Sequence, residues 1–259
     1  MQPVARISIA IASTLLACGQ APPAGPDGAV VVDGAEASTD AGLGALLLRE
    51  DFSVDDASAW PAGWSALGGV DRRGIASGRA WLTPTVSSYS LGRMGHGLAS
   101  GPARDVEVTF RLAMDDPGRQ GVGFYVRQNG GYLTGTTPRG SGYAVFAEAF
   151  AGAQLGLWRE RDGLEEPLVR VAVAGYTPGR DYWVRFRCAQ EGGATHLAAR
   201  VWPADAAEPS TWTVEATDAT PALQGAAGAI AVDGWNTATP GKGPAPARIY
   251  VDEITVRAQ

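Results

Sequence analysis

Cysteine is scarce in this chain, which has only Cys18 and Cys188 in 259 residues. Histidine is as rare, and because His96 and His196 each lack a second ligand at helical or hairpin spacing, no zinc site is indicated. Basic residues, nearly all arginine, are outnumbered, with 21 Lys and Arg against 27 Asp and Glu and a formal net charge of −6. Binding to nucleic acid depends on a basic footprint, so this balance argues against a nucleic-acid partner.

Long apolar runs are also missing, and the apolar segment at the start of the chain, residues 7–17, is too short to span a bilayer. Arg6 precedes this segment and the sequence LLAC at positions 15–18 closes it, as in a secretory signal peptide. The four residues resemble the bacterial lipobox, whose cysteine receives a diacylglycerol before cleavage. We therefore expect residues 1–17 to be a lipoprotein signal peptide and Cys18 to anchor the exported protein in the cell envelope, at the outer membrane.

Residues 18–45 contain mostly alanine, glycine, proline, serine and aspartate, with almost no large apolar side chain. Such a composition cannot bury enough surface to offset its ordering entropy, so it predicts a flexible tether. Because Cys18 is assigned to lipid, Cys188 has no partner for a disulfide, and the folded part must depend on its core. Cys188 follows Val184 and Phe186 at a spacing of two, which predicts that its side chain points inward.

The rest of the chain, residues 46–259, shows apolar residues at period two and no sustained helical stripe. This pattern predicts one all-β domain. Strands are predicted at 105–114, 122–127, 142–148, 154–159, 168–174, 182–188, 197–202, 211–217, 227–233 and 248–257. Turns rich in Gly, Pro, Asn and Asp separate them. Many antiparallel strands without helices predict a two-sheet antiparallel jelly-roll sandwich.

Four segments in the second half of the chain carry a resemblance to a known family. They are YWVRFR at 182–187, LAARVWP at 197–203, EPSTW at 208–212 and IYVDEI at 249–254. These segments are similar to laminin-G-like domains of bacterial surface proteins, within the concanavalin A-like lectin/glucanase superfamily. That superfamily includes sugar-binding modules, adhesive domains, glycoside hydrolases and polysaccharide lyases. The resemblance therefore implies the sandwich and leaves the activity open.

The strongest catalytic pattern is the sequence ERDGLE at 160–165, which has the acid spacing of retaining glucanases of that superfamily. Asp162-Gly163 is a strong turn signal, so we interpret the segment as a charged hairpin tip and not as a catalytic pair. No Gly-x-Ser-x-Gly nucleophile elbow occurs. We therefore predict no catalytic residues. The enzyme alternative is a glycoside hydrolase, a 3-keto-disaccharide hydrolase-like enzyme or a polysaccharide lyase that gathers carboxylates from different strands.

Aromatic and arginine side chains that alternate away from the core are the candidates for ligand binding. Period two places Trp183, Arg185, Arg200 and Trp202 on one outer face, beside Arg187 and His196. The other outward candidates are Arg111, Tyr125, Arg127 and Trp158, which would form a groove with Glu107 if their strands shared a sheet. Indole rings pack on pyranose faces and guanidinium groups donate to hydroxyls. The alternative is a cation–π ladder that stiffens the sheet or is covered by a loop.

Two further aromatics, Tyr132 and Trp235, lie in glycine-rich segments that are read as loops. Loops on a rigid scaffold often carry function. For Trp235 the favoured alternative is a side chain that plugs the end of the sandwich.

A structural calcium ion is the one cofactor that the sequence raises. Glu50 and Asp51 near the first strand and Asp252 in the last supply the oxygen ligands that calcium prefers, and terminal strands often pair in such sandwiches. The alternative is that these carboxylates are solvated at strand ends.

Together these features predict a monomeric, lipid-anchored envelope protein that binds extracellular carbohydrate or another surface partner without catalysis. The enzyme above is one alternative, and a structural or protein-binding envelope component is another. Contact with the membrane is expected through the N-terminal lipid alone.

Overall fold

The computed structural model describes residues 44–85, 90–149, 152–237 and 247–259, which all belong to one compact unit. The signal peptide, Cys18 and nearly all of the tether lie outside these residues. Within them, no helix is long and apolar enough to cross a membrane.

The described residues form fifteen β-strands and one 3-10 turn, Pro221–Leu223. The strands are β1 Leu46–Glu50, β2 Trp64–Gly68, β3 Val70–Ala76, β4 Arg79–Pro84, β5 Ser90–His96, β6 Val106–Met114, β7 Gln120–Gln128, β8 Gly142–Glu148, β9 Gln154–Arg161, β10 Leu164–Ala172, β11 Tyr182–Glu191, β12 Ala194–Pro203, β13 Val214–Asp218, β14 Ala229–Asn236 and β15 Ile249–Ala258.

The strands pair into two sheets. Sheet A has the order β13-β12-β11-β6-β15-β4-β3, with β1 also paired to β15, and sheet B has the order β10-β9-β8-β7-β14-β5-β2. Every pairing within them is antiparallel. The predicted all-β, two-sheet antiparallel sandwich is confirmed.

The core lies between the two sheets. It consists of the alternate residues of each strand whose side chains point inward. On β6 these include Val108 and Phe110, and on β7 Phe124, all of them fully buried. The rings of Phe110 and Phe124 stack across the sandwich with centroids 5.0 Å apart, so they join one sheet to the other. Cys188 also points into the core, as its spacing predicted, and burial raises the pKa of its thiol to about 12.

Each of the ten predicted strands overlaps one of the strands β6 to β15. Strands β9 and β10 are longer at their shared end than the pattern indicated, because they meet in a two-residue turn. Asp162 and Gly163 occupy this turn with φ of 53° and 73°, as in a type I′ hairpin. Glycines interrupt the alternation in several of the strands β1 to β5, including Gly74 and Gly95, so the period-two signal there is weak.

Candidate functional site

The outer face of sheet A, which points away from the core, brings together five of the eight sequence-predicted ligand candidates. One row of directly paired residues across β15, β6, β11 and β12 is Asp252, Arg111, Trp183 and Trp202. The next row on the same face is Thr255, Thr109, Arg185 and Arg200. The alternation that predicted a shared face for β11 and β12 is therefore correct.

A groove of about 610 Å3 lies on this face and is named here the first groove. Side chains of β1, β6, β11 and β15 and of the segment after β1 line it. Among them are Asp51, Glu107, Arg111, Trp183, Arg185 and Asp252. The groove thus joins residues that the sequence pointed to separately, as ligand-binding and as metal-binding candidates.

Ion pairs hold the arginines of this face in place. Arg111 pairs with Asp252, and its Nη2 lies 3.1 Å from Glu253 Oε1. Arg185 pairs with Glu107 and donates from Nε to Glu208 Oε1 at 2.6 Å. The guanidinium groups are therefore fixed before any ligand arrives.

Tryptophans complete the face. Trp183 and Trp202 stack across neighbouring strands with centroids 6.5 Å apart, and the Arg111 guanidinium lies 5.9 Å from the Trp183 ring. Trp202 is only 7% exposed, so it is not available as a binding platform, whereas Trp183 is half-buried and lines the groove. Arg200 lies 4.6 Å from the ring of Trp212, which comes from the loop before β13. The cation–π ladder weighed as an alternative is therefore present.

The three calcium candidates do not converge on one point. Glu50 Oε1 accepts a hydrogen bond from Phe52 N, Asp51 Oδ1 accepts one from Ser53 Oγ at 2.6 Å, and Asp252 pairs with Arg111. In the part of the chain that the structure describes, no group of three or more His, Cys, Asp or Glu residues could hold a metal ion. The geometry therefore gives the calcium prediction no support, because each carboxylate already has a protein donor.

Two other candidates, Tyr125 and Trp158, lie on the outer face of sheet B. The single groove predicted for them together with Glu107 and Arg111 does not form, because β7 and β9 belong to sheet B and β6 to sheet A. Trp158 packs on Phe146 with ring centroids 5.7 Å apart, and its buried Nε1 has no hydrogen-bond partner among the described residues.

Arg127 is not on an outer face, contrary to the alternation. A β-bulge between β7 and β14 and a φ of 53° turn its side chain inward at the end of the sandwich. There it donates to Thr195 Oγ1 at 2.9 Å and to Arg104 O at 2.8 Å, and it lies 5.5 Å from the Tyr143 ring. Arg127 therefore links the two sheets and is removed from the ligand candidates.

A second group of charged residues, which the sequence did not reveal, lies on the outer face of sheet B. Arg93 is fully buried and donates to both Asp233 oxygens at 2.8 and 2.7 Å and to both Glu160 oxygens at 3.0 and 2.8 Å. Its Nη2 is 3.5 Å from Glu165 Oε1, which also accepts a hydrogen bond from the Tyr125 hydroxyl at 2.5 Å. These five residues are called the Arg93 cluster.

Three carboxyl groups share one guanidinium in the Arg93 cluster, so they compete for its charge. Burial raises the pKa of Glu160 to about 7 against the opposing pull of Arg93. Burial together with the charge of Asp233 raises the pKa of Glu165 to about 7 as well. The cluster therefore binds a proton near neutral pH.

The interpretation of residues 160–165 as a charged hairpin tip is right about the turn and wrong about Glu160 and Glu165. Both glutamates point to the sheet face, and Glu160 is fully buried while Glu165 retains 14% exposure. Their burial depends on Arg93, far away in the sequence. The available signal was a lone arginine and a lone aspartate beside glycines, Gly92-Arg93 and Asp233-Gly234, within otherwise apolar strands.

Residues 129–140 form a strap over the Arg93 cluster. Arg93 Nη1 donates to Gly131 O at 3.2 Å, and the Tyr132 hydroxyl donates to Leu91 O. Trp235, which belongs to β14 and not to a loop, is buried on the same face. Beneath the strap Glu160 and Asp233 are closed to solvent, so the first groove is the more open of the two sites.

Comparisons with known proteins address the fold. No family model and no curated protein matches the chain. Among solved structures, the lectin UEA-II complexed with galactose shares 12% identity over 82% of this chain and 98% of its own, with a TM-score of 0.51. A Bacillus subtilis protein of unknown function with a galectin-like fold shares 14% over 83% and 97%, with a TM-score of 0.52. The fold is that of the concanavalin A-like lectins.

The concanavalin A-like fold also occurs in part of the GH43 protein BlXynB of Bacillus licheniformis, which shares 11% identity with a TM-score of 0.51. The match covers 82% of this chain and 39% of that one. At such identities the likeness is one of fold alone, and it agrees with the sandwich that the resemblance of the four segments implied.

Proposed function

We propose that this protein is an exported, lipid-anchored protein that binds carbohydrate in the first groove and does no chemistry on it. One observation carries the proposal. A half-buried indole, Trp183, lines a groove of about 610 Å3 beside side chains that ion pairs have already oriented.

The chemistry of the groove suits a saccharide. An indole offers its face to the C–H groups of a pyranose ring, while guanidinium and carboxylate groups exchange hydrogen bonds with its hydroxyls. Thr109 and Thr255 are directly paired on the groove wall and add hydroxyls that both donate and accept. Because the ion pairs fix Arg111 and Arg185, little further ordering is needed on binding.

Of the four carboxylates that line the groove, Glu107, Asp252 and Glu253 pair with arginine and Asp51 accepts hydrogen bonds from Ser53, which is why the proposal excludes catalysis. Asp252 pairs with Arg111 and Glu107 pairs with Arg185. A general acid needs a proton to give and a nucleophile needs a free lone pair, and an ion-paired carboxylate is poorly suited to either role.

Two lines of support come from outside the groove. UEA-II, which shares the fold, is a lectin complexed with galactose, although a fold alone does not determine a ligand. The LLAC sequence at positions 15–18 supports export and lipidation at Cys18. Anchoring would raise the local concentration of the binding domain at the cell surface.

Binding of the full chain in detergent to a panel of neutral polysaccharides tests the proposal, with isothermal titration on any that bind. Trp183→Ala should weaken binding about tenfold through the loss of the aromatic contact. Trp158→Ala, on the other sheet, is the matched control and should bind like the wild type. Absence of binding to every polysaccharide, or equal affinity of Trp183→Ala and wild type, would contradict the proposal.

A further inference from the structure

A second groove, of about 400 Å3, lies on the same outer face of sheet A, nearer its β13 edge. Its lining includes Arg187 of β11, His196 of β12, Glu215 of β13 and the ring of Trp212. Each groove therefore has one half-buried tryptophan, Trp183 in the first and Trp212 in the second.

One row of directly paired residues leads from the first groove into the second. Across β15, β6, β11, β12 and β13 it reads Arg257, Glu107, Arg187, Ala198 and Glu215. The first two residues line the first groove and the last three line the second. Since Glu107 and Arg187 are neighbours on adjacent strands, the two grooves adjoin. Beyond Arg187, the small side chain of Ala198 does not rise above the surface of the sheet, so it leaves room for a ligand in the second groove.

The length of this row sets the size of ligand that it can take. Five strands are separated by four spacings of about 4.8 Å each, which gives a surface of about 19 Å across the strands. A monosaccharide would occupy a small part of this distance, whereas a chain of several sugars would fill it.

Charge on this face is balanced between the two signs. Glu208 accepts from Arg185 and pairs with Arg200 at 2.6 Å, and Arg111 is held by Asp252 and Glu253. A polyanion requires basic groups in excess, and these arginines are already paired with carboxylates. The face therefore matches a neutral ligand.

We infer that the ligand is an extended neutral polysaccharide that crosses the strands of sheet A and occupies both grooves. The inference rests on the proposed binding of carbohydrate in the first groove and specifies the ligand of that site. Trp183 provides the platform in the first groove, and Arg187, His196 and Trp212 contact the bound chain in the second.

Affinity as a function of chain length tests this inference. Ladders of laminari-, xylo- and galacto-oligosaccharides, from disaccharide to octasaccharide, are titrated against the full chain in detergent, with oligogalacturonates as the acidic comparison. Affinity for one neutral ladder should rise with length until both grooves are filled. Arg187→Ala and His196→Ala should each weaken binding of the octasaccharide severalfold and leave the disaccharide unchanged.

The two levels of the hypothesis fail in different ways. One outcome is that Trp183→Ala abolishes binding of the disaccharide while the affinity of the wild type does not rise with oligosaccharide length. Another is that the acidic ladder binds more tightly than the neutral ones. Either outcome would overturn the extended neutral ligand and leave binding in the first groove in place. Absence of binding to every ladder would overturn both. His196 is an exposed side chain, so His196→Ala should fold like the wild type.

Discussion

Glu160 illustrates how one side chain can connect the pH of the medium to the stability of the whole fold. In the folded chain the pKa of Glu160 and of Glu165 is about 7, against an ordinary value of 4.5. Between these two values the folded chain binds more protons than the unfolded chain. The contribution of these two groups to the free energy of unfolding should therefore be highest below about pH 4.5 and should fall as the pH rises through 7.

Glu160→Gln removes one of these titrating groups and keeps an oxygen for Arg93. As the pH rises from about 4.5 to above 7, the variant should gain about 1–3 kcal/mol of unfolding free energy relative to the wild type. Urea denaturation at several pH values measures it. Leu164→Ala, at an exposed side chain on the same hairpin, changes no titrating group, so its difference from the wild type should not change with pH. Parallel pH profiles for Glu160→Gln and wild type would contradict the assignment.

At the scale of elements, the β9–β10 hairpin is tied to the strap that crosses the Arg93 cluster. Gly163 N donates to Gly140 O at 2.8 Å, and Thr134 N donates to Gly163 O at 3.0 Å. A β-carbon on Gly163 would lie 2.5 Å from the backbone of Leu133 and Thr134. The turn and the strap therefore pack without room for a side chain.

Gly163→Ala and Gly192→Ala form a matched pair for this contact. Both glycines lie in hairpin turns with positive φ, 73° and 59°, but a β-carbon on Gly192 meets nothing within 4 Å. Gly192→Ala should cost about 1–2 kcal/mol for backbone strain alone. Gly163→Ala should cost about 1–3 kcal/mol more because it also displaces the strap. Equal midpoints in urea for the two variants would argue against close packing of the strap.

Pairing between strands also determines which parts of the candidate site could be predicted from the sequence. Trp183 and Arg185 share a face with Arg200 because β11 and β12 form a local hairpin, whose register follows from alternation and a short turn. Tyr125 and Trp158 could not be placed relative to Arg111, because the assignment of strands to sheets depends on pairings far apart in sequence. Local alternation also gives no sign of the bulge that turns Arg127 inward.

At the scale of the molecule, stability depends on the contact between the sheets. Phe110→Ala removes a fully buried ring that stacks on Phe124, and it should lower the free energy of unfolding by about 3–5 kcal/mol. Leu164→Ala, at a side chain 54% exposed, is the control and should change it by less than about 0.5 kcal/mol. Guanidinium denaturation followed by tryptophan fluorescence gives both values, and similar midpoints would show that the ring is not part of the core.

Strand β1 is the first strand of the described chain and lies against the last, β15. Ala258 N donates to Ala45 O at 2.9 Å, and the pairing continues from Leu46 to Glu50. In a protein held by its N-terminus, tension would enter the fold along β1. Antiparallel hydrogen bonds lie perpendicular to the strands, so such a pull loads them together in shear instead of opening them singly. Strand β15 carries Asp252 and Thr255 of the first groove, so force on a polymer bound as proposed would pass through only two strands, β15 and β1, to the proposed N-terminal anchor.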